Sequence, residues 1–256
     1  MGTGALTVTQ TSDTTFAGVM TGRGNLIKTG ANSLTLSNNN THAGDVTISA
    51  GTLTVTGTLS DGTDVVVNGG VYDVDANDTV ASISGSGGSI NIASNITLTE
   101  KGNNKTYAGA IAGDGTFTHG SGNLTLSGTN TVANVTITGG TVDVTGTLAN
   151  TAAVSVSSGA VYKVSNTDTV GSITGAGFIN LESDQTLSAG SSASTFSGTM
   201  RGAGSFEKVG AATLTLSGAN NYTGTTTITA GTLTLADNDV NILPDRSAII
   251  LANTAG

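Results

Sequence analysis

The sequence predicts an all-β fold, a right-handed, single-stranded parallel β-helix (β-solenoid) of about ten to twelve rungs. Three observations carry this expectation. A long internal repeat fills the chain, its apolar residues lie in short alternating runs, and Gly, Thr, Ser and Asn occupy most of the space between those runs.

The repeat is the strongest signal. SLTLSNNN at 33–40 returns as NLTLSGTN at 123–130 and as TLTLSGAN at 213–220, so Leu34, Leu124 and Leu214 recur every 90 residues. Upstream of each copy stand Thr15-Phe16-Ala17-Gly18, Thr106-Tyr107-Ala108-Gly109 and Thr195-Phe196-Ser197-Gly198. Downstream, Val71-Tyr72-Asp73-Val74 returns as Val161-Tyr162-Lys163-Val164, and Asp78-Thr79-Val80 as Asp168-Thr169-Val170. The expected organisation is one continuous solenoid over 1–256, with units at approximately 14–104, 105–193 and 194–256, the last incomplete.

Within a unit the strands are three to five residues long, as in Val46-Thr47-Ile48, Leu53-Thr54-Val55 and Ile90-Asn91-Ile92. Thr, Val and Ile favour strands, and no stretch carries an apolar stripe of helical period with caps. Strands this short bury little alone, so each must stack on the next turn of chain, at roughly 20 to 27 residues per turn. Alternation turns Leu34, Leu36, Leu124, Leu126, Leu214 and Leu216 inward as a core ladder. The Gly-X-Gly triplets at 22–24, 113–115 and 202–204 read as tight turns needing positive backbone dihedrals, since none carries the Lys-Ser/Thr of a phosphate loop. A propeller would repeat at about 40 to 50 residues with aromatic signatures. A sandwich would need longer core strands.

Composition excludes several classes of function. The formal net charge is −9, with only 8 Lys and Arg scattered singly, so no basic stripe exists to neutralise phosphates and nucleic acid is not an expected partner. The chain has no Cys, which removes disulfides and thiolate metal sites and is compatible with export. No run approaches the roughly 20 apolar residues of a membrane helix. Met1-Gly2 leads directly into strand-like sequence, and the chain reads as an excised piece.

The stretch GAGSFEKVGAATLTLSGANNYTGTTTITAGTL, Gly202 to Leu233, resembles the autotransporter-associated β-strand repeat of passenger domains in type V secreted proteins. Degraded copies are readable at Gly22 to Leu53 and Gly113 to Val142. The resemblance implies a right-handed parallel β-helix, passage of the outer membrane through a C-terminal β-barrel translocator in the parent protein, and folding outside the cell. It places the chain at the bacterial cell surface or among secreted proteins. The expected role is a stalk, monomeric in solution, supporting adhesion to a host-cell surface or to identical molecules on neighbouring cells, and aiding passenger folding during secretion.

The best acidic cluster is Asp73, Asp75 and Asp78, but the second unit reads Lys163, Ser165 and Asp168 there, so the favoured reading is a solvated turn rather than a catalytic or calcium site. His42 and His119 do not match in the repeat, and both read as outward-facing polar residues, His119 close to the slot of Lys28 and Lys208. Thr-X-Thr pairs recur too irregularly for an ice-binding array. No catalytic residue, metal or cofactor is expected; a carbohydrate-active β-helix enzyme or an ice- or surface-binding Thr array is the alternative. The candidate contact surface is the loops after the L-T-L-S strands: Asn38, Asn39, Asn40 and His42; Thr129 and Asn130; Asn220, Asn221 and Tyr222.

Overall fold

A three- or four-residue strand cannot satisfy its own backbone groups or bury its apolar side chains. Both needs are met here by the chain one turn later. In the computed structural model, which describes residues 2–236, 242–245 and 247–252, the strands of the described residues pair in parallel and no described residue is helical. The stretches 237–241 and 253–256 of the third repeat unit lie outside the described residues.

The chain divides into two units, 1–133 and 134–256, and each is a parallel β-solenoid. In the first, one sheet stacks Leu6–Thr9, Leu26–Thr29, Val46–Ile48, Asp64–Val67 and Ser82–Ser84. A second stacks Thr14–Phe16, Ser33–Leu36, Thr52–Val55, Val71–Val74, Ser89–Ile92 and Ala110–Ala112. A third ladder joins Asp78–Val80, Thr97–Glu100 and Thr116–His119. In the second unit, Thr141–Val144, Val161–Val164, Phe178–Leu181 and Thr199–Gly202 form one such ladder. Another runs through Asp168–Val170, Thr186–Ala189, Ser205–Lys208, Thr226–Ile228 and Ile249–Leu251.

The coils are tighter than the sequence suggests. Leu26 pairs with Val46, Val46 with Val65 and Val65 with Ile83, steps of 20, 19 and 18 residues. Val161 pairs with Phe178 after only 17. Steps below the expected 20 to 27 fit more rungs into the same length than ten to twelve. The physical reason is the economy of the turns. At Gly85 and Gly175, φ is 138° and 98°, and a Cβ would come within 1.9 Å of the Val67 carbonyl oxygen and 2.1 Å of the Val156 carbonyl oxygen, on the coils 18 and 19 residues earlier. Only glycine turns the chain that sharply against the coil beneath.

Alternation then separates the two sides of each strand. In the first unit Leu34, Leu53, Tyr72, Ile90 and Ile111 stand in register as one inward row, all buried. Leu36, Val55, Val74 and Ile92 form the next. Leu124, Leu126, Leu214 and Leu216 are buried in the same manner. Outward residues are mostly half-buried, because neighbours above and below cover their flanks. On that side the partners are polar: Asp73 accepts from the Asn91 amide at 2.7 Å and from the Thr54 hydroxyl at 3.5 Å.

Each inward Leu contributes on the order of 1.5–3 kcal/mol by burial. Leu126→Asp places an uncompensated carboxylate in that row and should destabilise by about 3–5 kcal/mol, while the outward Thr125→Asp should cost under about 1 kcal/mol. Chemical denaturation of the two variants checks this; equal losses would mean that the facing of the strand is wrong.

Candidate functional site

The loops expected to form the contact surface divide into inward and outward residues. Asn38, Asn39, Thr129 and Asn221 are exposed. Asn40, His42, Asn130, Asn220 and Tyr222 are buried, which corrects their assignment as surface contacts. The asparagines show why. Asn40 accepts the Met20 N–H at 3.0 Å and donates to the carbonyls of Asn38 at 2.7 Å and Thr58 at 3.1 Å. Asn130 accepts from Ile111 N–H at 2.9 Å and donates to the Gly128 carbonyl at 3.1 Å. Asn220 accepts from Met200 N–H at 2.7 Å and donates to the carbonyls of Gly218 and Ile242. One amide thus satisfies backbone groups on its own coil and on its neighbours, where the loop interrupts the sheet ladder.

Two residues further on, one interior slot holds His42, Val132 and Tyr222 in the three repeats. His42 was expected to face outward; it is fully buried, and neither ring nitrogen has a hydrogen-bond partner. Burial is the larger cause holding its pKa below the ordinary value, so the ring favours the neutral form.

A second slot faces inward near the end of a strand and holds Lys28, His119 and Lys208, all fully buried, so His119 is not an outward polar residue either. Lys28 Nζ donates to the carbonyls of Thr29, Gly30 and Ala50 at 2.8, 3.0 and 3.1 Å. Lys208 Nζ donates to Gly190, Val209, Gly210 and Ala230 at 3.2, 2.7, 2.8 and 3.0 Å. Each ammonium is held by turn carbonyls of successive coils, and burial lowers its pKa. His119 meets the need differently, with Nδ1 2.5 Å from Oε2 of the buried Glu100 on the adjoining strand.

The acidic cluster does not converge. Asp73 lies on the outer face, Asp75 is exposed, and Asp78 points inward at 5% exposure, so Asp78 is not part of a solvated turn. Asp78 accepts the N–H of Leu59 at 3.1 Å, the N–H of Thr79 at 2.9 Å and the Tyr72 hydroxyl at 3.1 Å. Asp168 repeats this set with Leu148, Thr169 and Tyr162 at 3.1, 3.0 and 3.0 Å. Burial outweighs those three donors and pushes each carboxyl up to about 6. Among the described residues, no three His, Asp or Glu side chains gather as a metal site.

The roles sequence reasoning missed had a visible signal. Asn40, Asn130 and Asn220 recur at exact intervals, as do Asp78 and Asp168, and a polar side chain kept at one slot of a solenoid repeat can serve the stacking as readily as the surface. The asparagine, lysine and aspartate side chains at these slots hold coil on coil.

The family described as the passenger-associated-transport-repeat matches residues 26–55, 119–144 and 206–235. The chain is also similar, at 39% identity over 133 residues, to the adhesin BmaC autotransporter of Brucella suis biovar 1 (strain 1330). That match covers 44% of this chain and about 4% of the relative's length. No solved structure matches the chain significantly. The chain therefore carries three matches to the passenger-associated-transport-repeat and is similar over part of its length to an autotransporter adhesin.

The buried aspartates give a pH signature. Their folded pKa of about 6 stands above the unfolded value of about 3.9, so their contribution is fully present below pH 4 and is lost as pH rises through 6. His42, with a depressed pKa, acts in the opposite sense below its ordinary 6.5, so the comparison must be made against a variant. The stability advantage of the natural chain over Asp78→Asn/Asp168→Asn should be greater at pH 4 than at pH 7.5 by about 2–4 kcal/mol. Urea melts at both pH values measure it, and a difference unchanged by pH would contradict the assignment.

Proposed function

We propose that the chain is a structural stalk segment of an autotransporter surface protein, which supports adhesion or self-association and favours folding of the passenger outside the cell. The observation that supports this most is the recurrence of one stacking scheme in all three repeats: an inward Leu pair, a buried Asn bridge and a buried basic residue. Each coil offers the next a ready edge of backbone donors and acceptors, so ordering of one coil templates the following one. A chain emerging residue by residue at the cell surface gains from that local, stepwise route.

The outer rows of Thr, Asn and Asp suit many weak polar contacts in parallel, with a host-cell surface or with identical molecules on adjacent cells. A C-terminal β-barrel translocator in the parent protein and a non-enzymatic role belong to the same reading. The residue chemistry supports it: the buried Lys28, Lys208, Asp78, Asp168 and the His119–Glu100 pair bond within the chain.

A stalk works by length, so its units should be removable. Leu34 and Leu124 begin equivalent strands, and deleting 34–123 joins Ser33 to Leu124 in register. The shortened chain should melt cooperatively and, placed in its parent protein, still reach the cell surface. An unfolded product would show that the units are parts of one indivisible domain and would overturn the stalk reading.

A further inference from the structure

In a repeat protein, a binding site is expected where the repeat is locally broken. The coil around Phe178–Leu181 and Thr199–Gly202 is such a place. Its counterpart in the preceding repeat runs Ser89–Ile92 and Ala110–Ala112. Position for position, Phe178 replaces Ser89, Glu182 replaces Ala93, Arg201 replaces Ala112 and Asn221 replaces Thr131. Small or neutral side chains have become an aromatic ring, a carboxylate, a guanidinium and an amide.

These exceptions meet in space. Glu182, Arg201 and Asn221, with Asn180 and Ser183, line an open groove of about 450 Å³ within the second unit. The guanidinium is held from two sides: its Cζ lies 4.2 Å from the centre of the Phe178 ring, and Nε donates to Asn180 Oδ1 at 2.6 Å. Stacking and that bond fix its plane and leave the terminal nitrogens available to a ligand. The buried Asn220, bonded to Met200 N–H, anchors the loop that presents the exposed Asn221. Glu182 supplies an acceptor and reaches Lys163 Nζ only at 3.7 Å.

The geometry points to a binding site for a neutral saccharide. The oriented donors of Arg201, the exposed amide of Asn221, a carboxylate acceptor on Glu182 and the Ser183 hydroxyl match the alternating donors and acceptors of sugar hydroxyls. One guanidinium against one carboxylate leaves the groove without net charge, and the chain carries −9 overall, which disfavours an anionic ligand. The inference gives a location and a partner class to the adhesive part of the proposed function and depends on that reading only for its biological meaning.

The test titrates the isotopically labelled full chain with lactose, maltose and cellobiose, and with glucuronate and glucosamine as charged controls. At least one neutral disaccharide should shift the Arg201 Nε–H signal and the Asn180 and Asn221 side-chain amide signals saturably, with a Kd of about 1 mM. Arg201→Ala and Asn221→Thr install residues that the preceding repeat carries in folded coils, and each should weaken binding at least tenfold with little change in melting. If Arg201→Ala lowers the melt, Asn221→Thr decides. The inference falls if no neutral disaccharide shifts these signals, if a charged control binds more tightly, or if a folded variant binds as well as the natural chain. None of those results touches the stalk reading, whose own test is the folding of the 34–123 deletion.

Discussion

The hydrogen bonds that each coil makes to the next are the interaction on which the rest of the structure depends. A strand such as Val46–Ile48 has neither the length nor the width to exist alone; it is a strand because Leu26–Thr29 lies on one side and Asp64–Val67 on the other. Parallel register carries side chains with it. Once Leu53 is opposite Leu34 and Tyr72 opposite Leu53, an apolar row forms, and a one-residue slip would turn every member of it outward. The turns must not disturb this spacing, which is why glycines stand where a Cβ would strike the coil beneath.

Where the ladder is interrupted, backbone groups would be stranded, and the interior polar residues answer that need. The asparagine amide serves the same loop in all three repeats. A basic residue serves the strand end three times by two routes, lysine gathering carbonyls and His119 pairing with Glu100. Asp78 and Asp168 each collect two backbone N–H groups and a tyrosine hydroxyl. A buried polar group is costly unless it is bonded, and these are bonded across coils, so the same groups that carry the cost also fix register. His42 is the exception: it occupies a slot filled elsewhere by Val132 and Tyr222, with both nitrogens unpartnered.

The architecture was legible from residues because a solenoid writes its period into the chain. The 90-residue recurrence and the alternation around Leu34, Leu124 and Leu214 identify stacked parallel strands and their facing. The coil length was less legible, since it depends on how few residues each turn spends, and steps of 17 to 23 depend on turn geometry that composition does not reveal. Facing in the loops was the least legible. Asn38 and Asn40 look alike in sequence, yet one is exposed and the other buried, because beyond a strand end alternation stops and the route of the backbone decides. The groove at Arg201 was hidden for another reason: Glu182, Arg201 and Asn221 are brought together only by the stacking.

Cross-coil contacts in solution test the central claim most directly. Nuclear Overhauser effects between backbone protons of residues 17 to 21 apart should connect Leu34 to Leu53, Leu53 to Tyr72, Tyr72 to Ile90 and Ile90 to Ile111 in an unbroken parallel series. The same pattern should connect Val142 to Tyr162, Tyr162 to Ile179 and Ile179 to Met200. Contacts in antiparallel register between strands adjacent in sequence, such as Ser33–Leu36 with Val46–Ile48, would replace the stacked coils with hairpins and contradict the account.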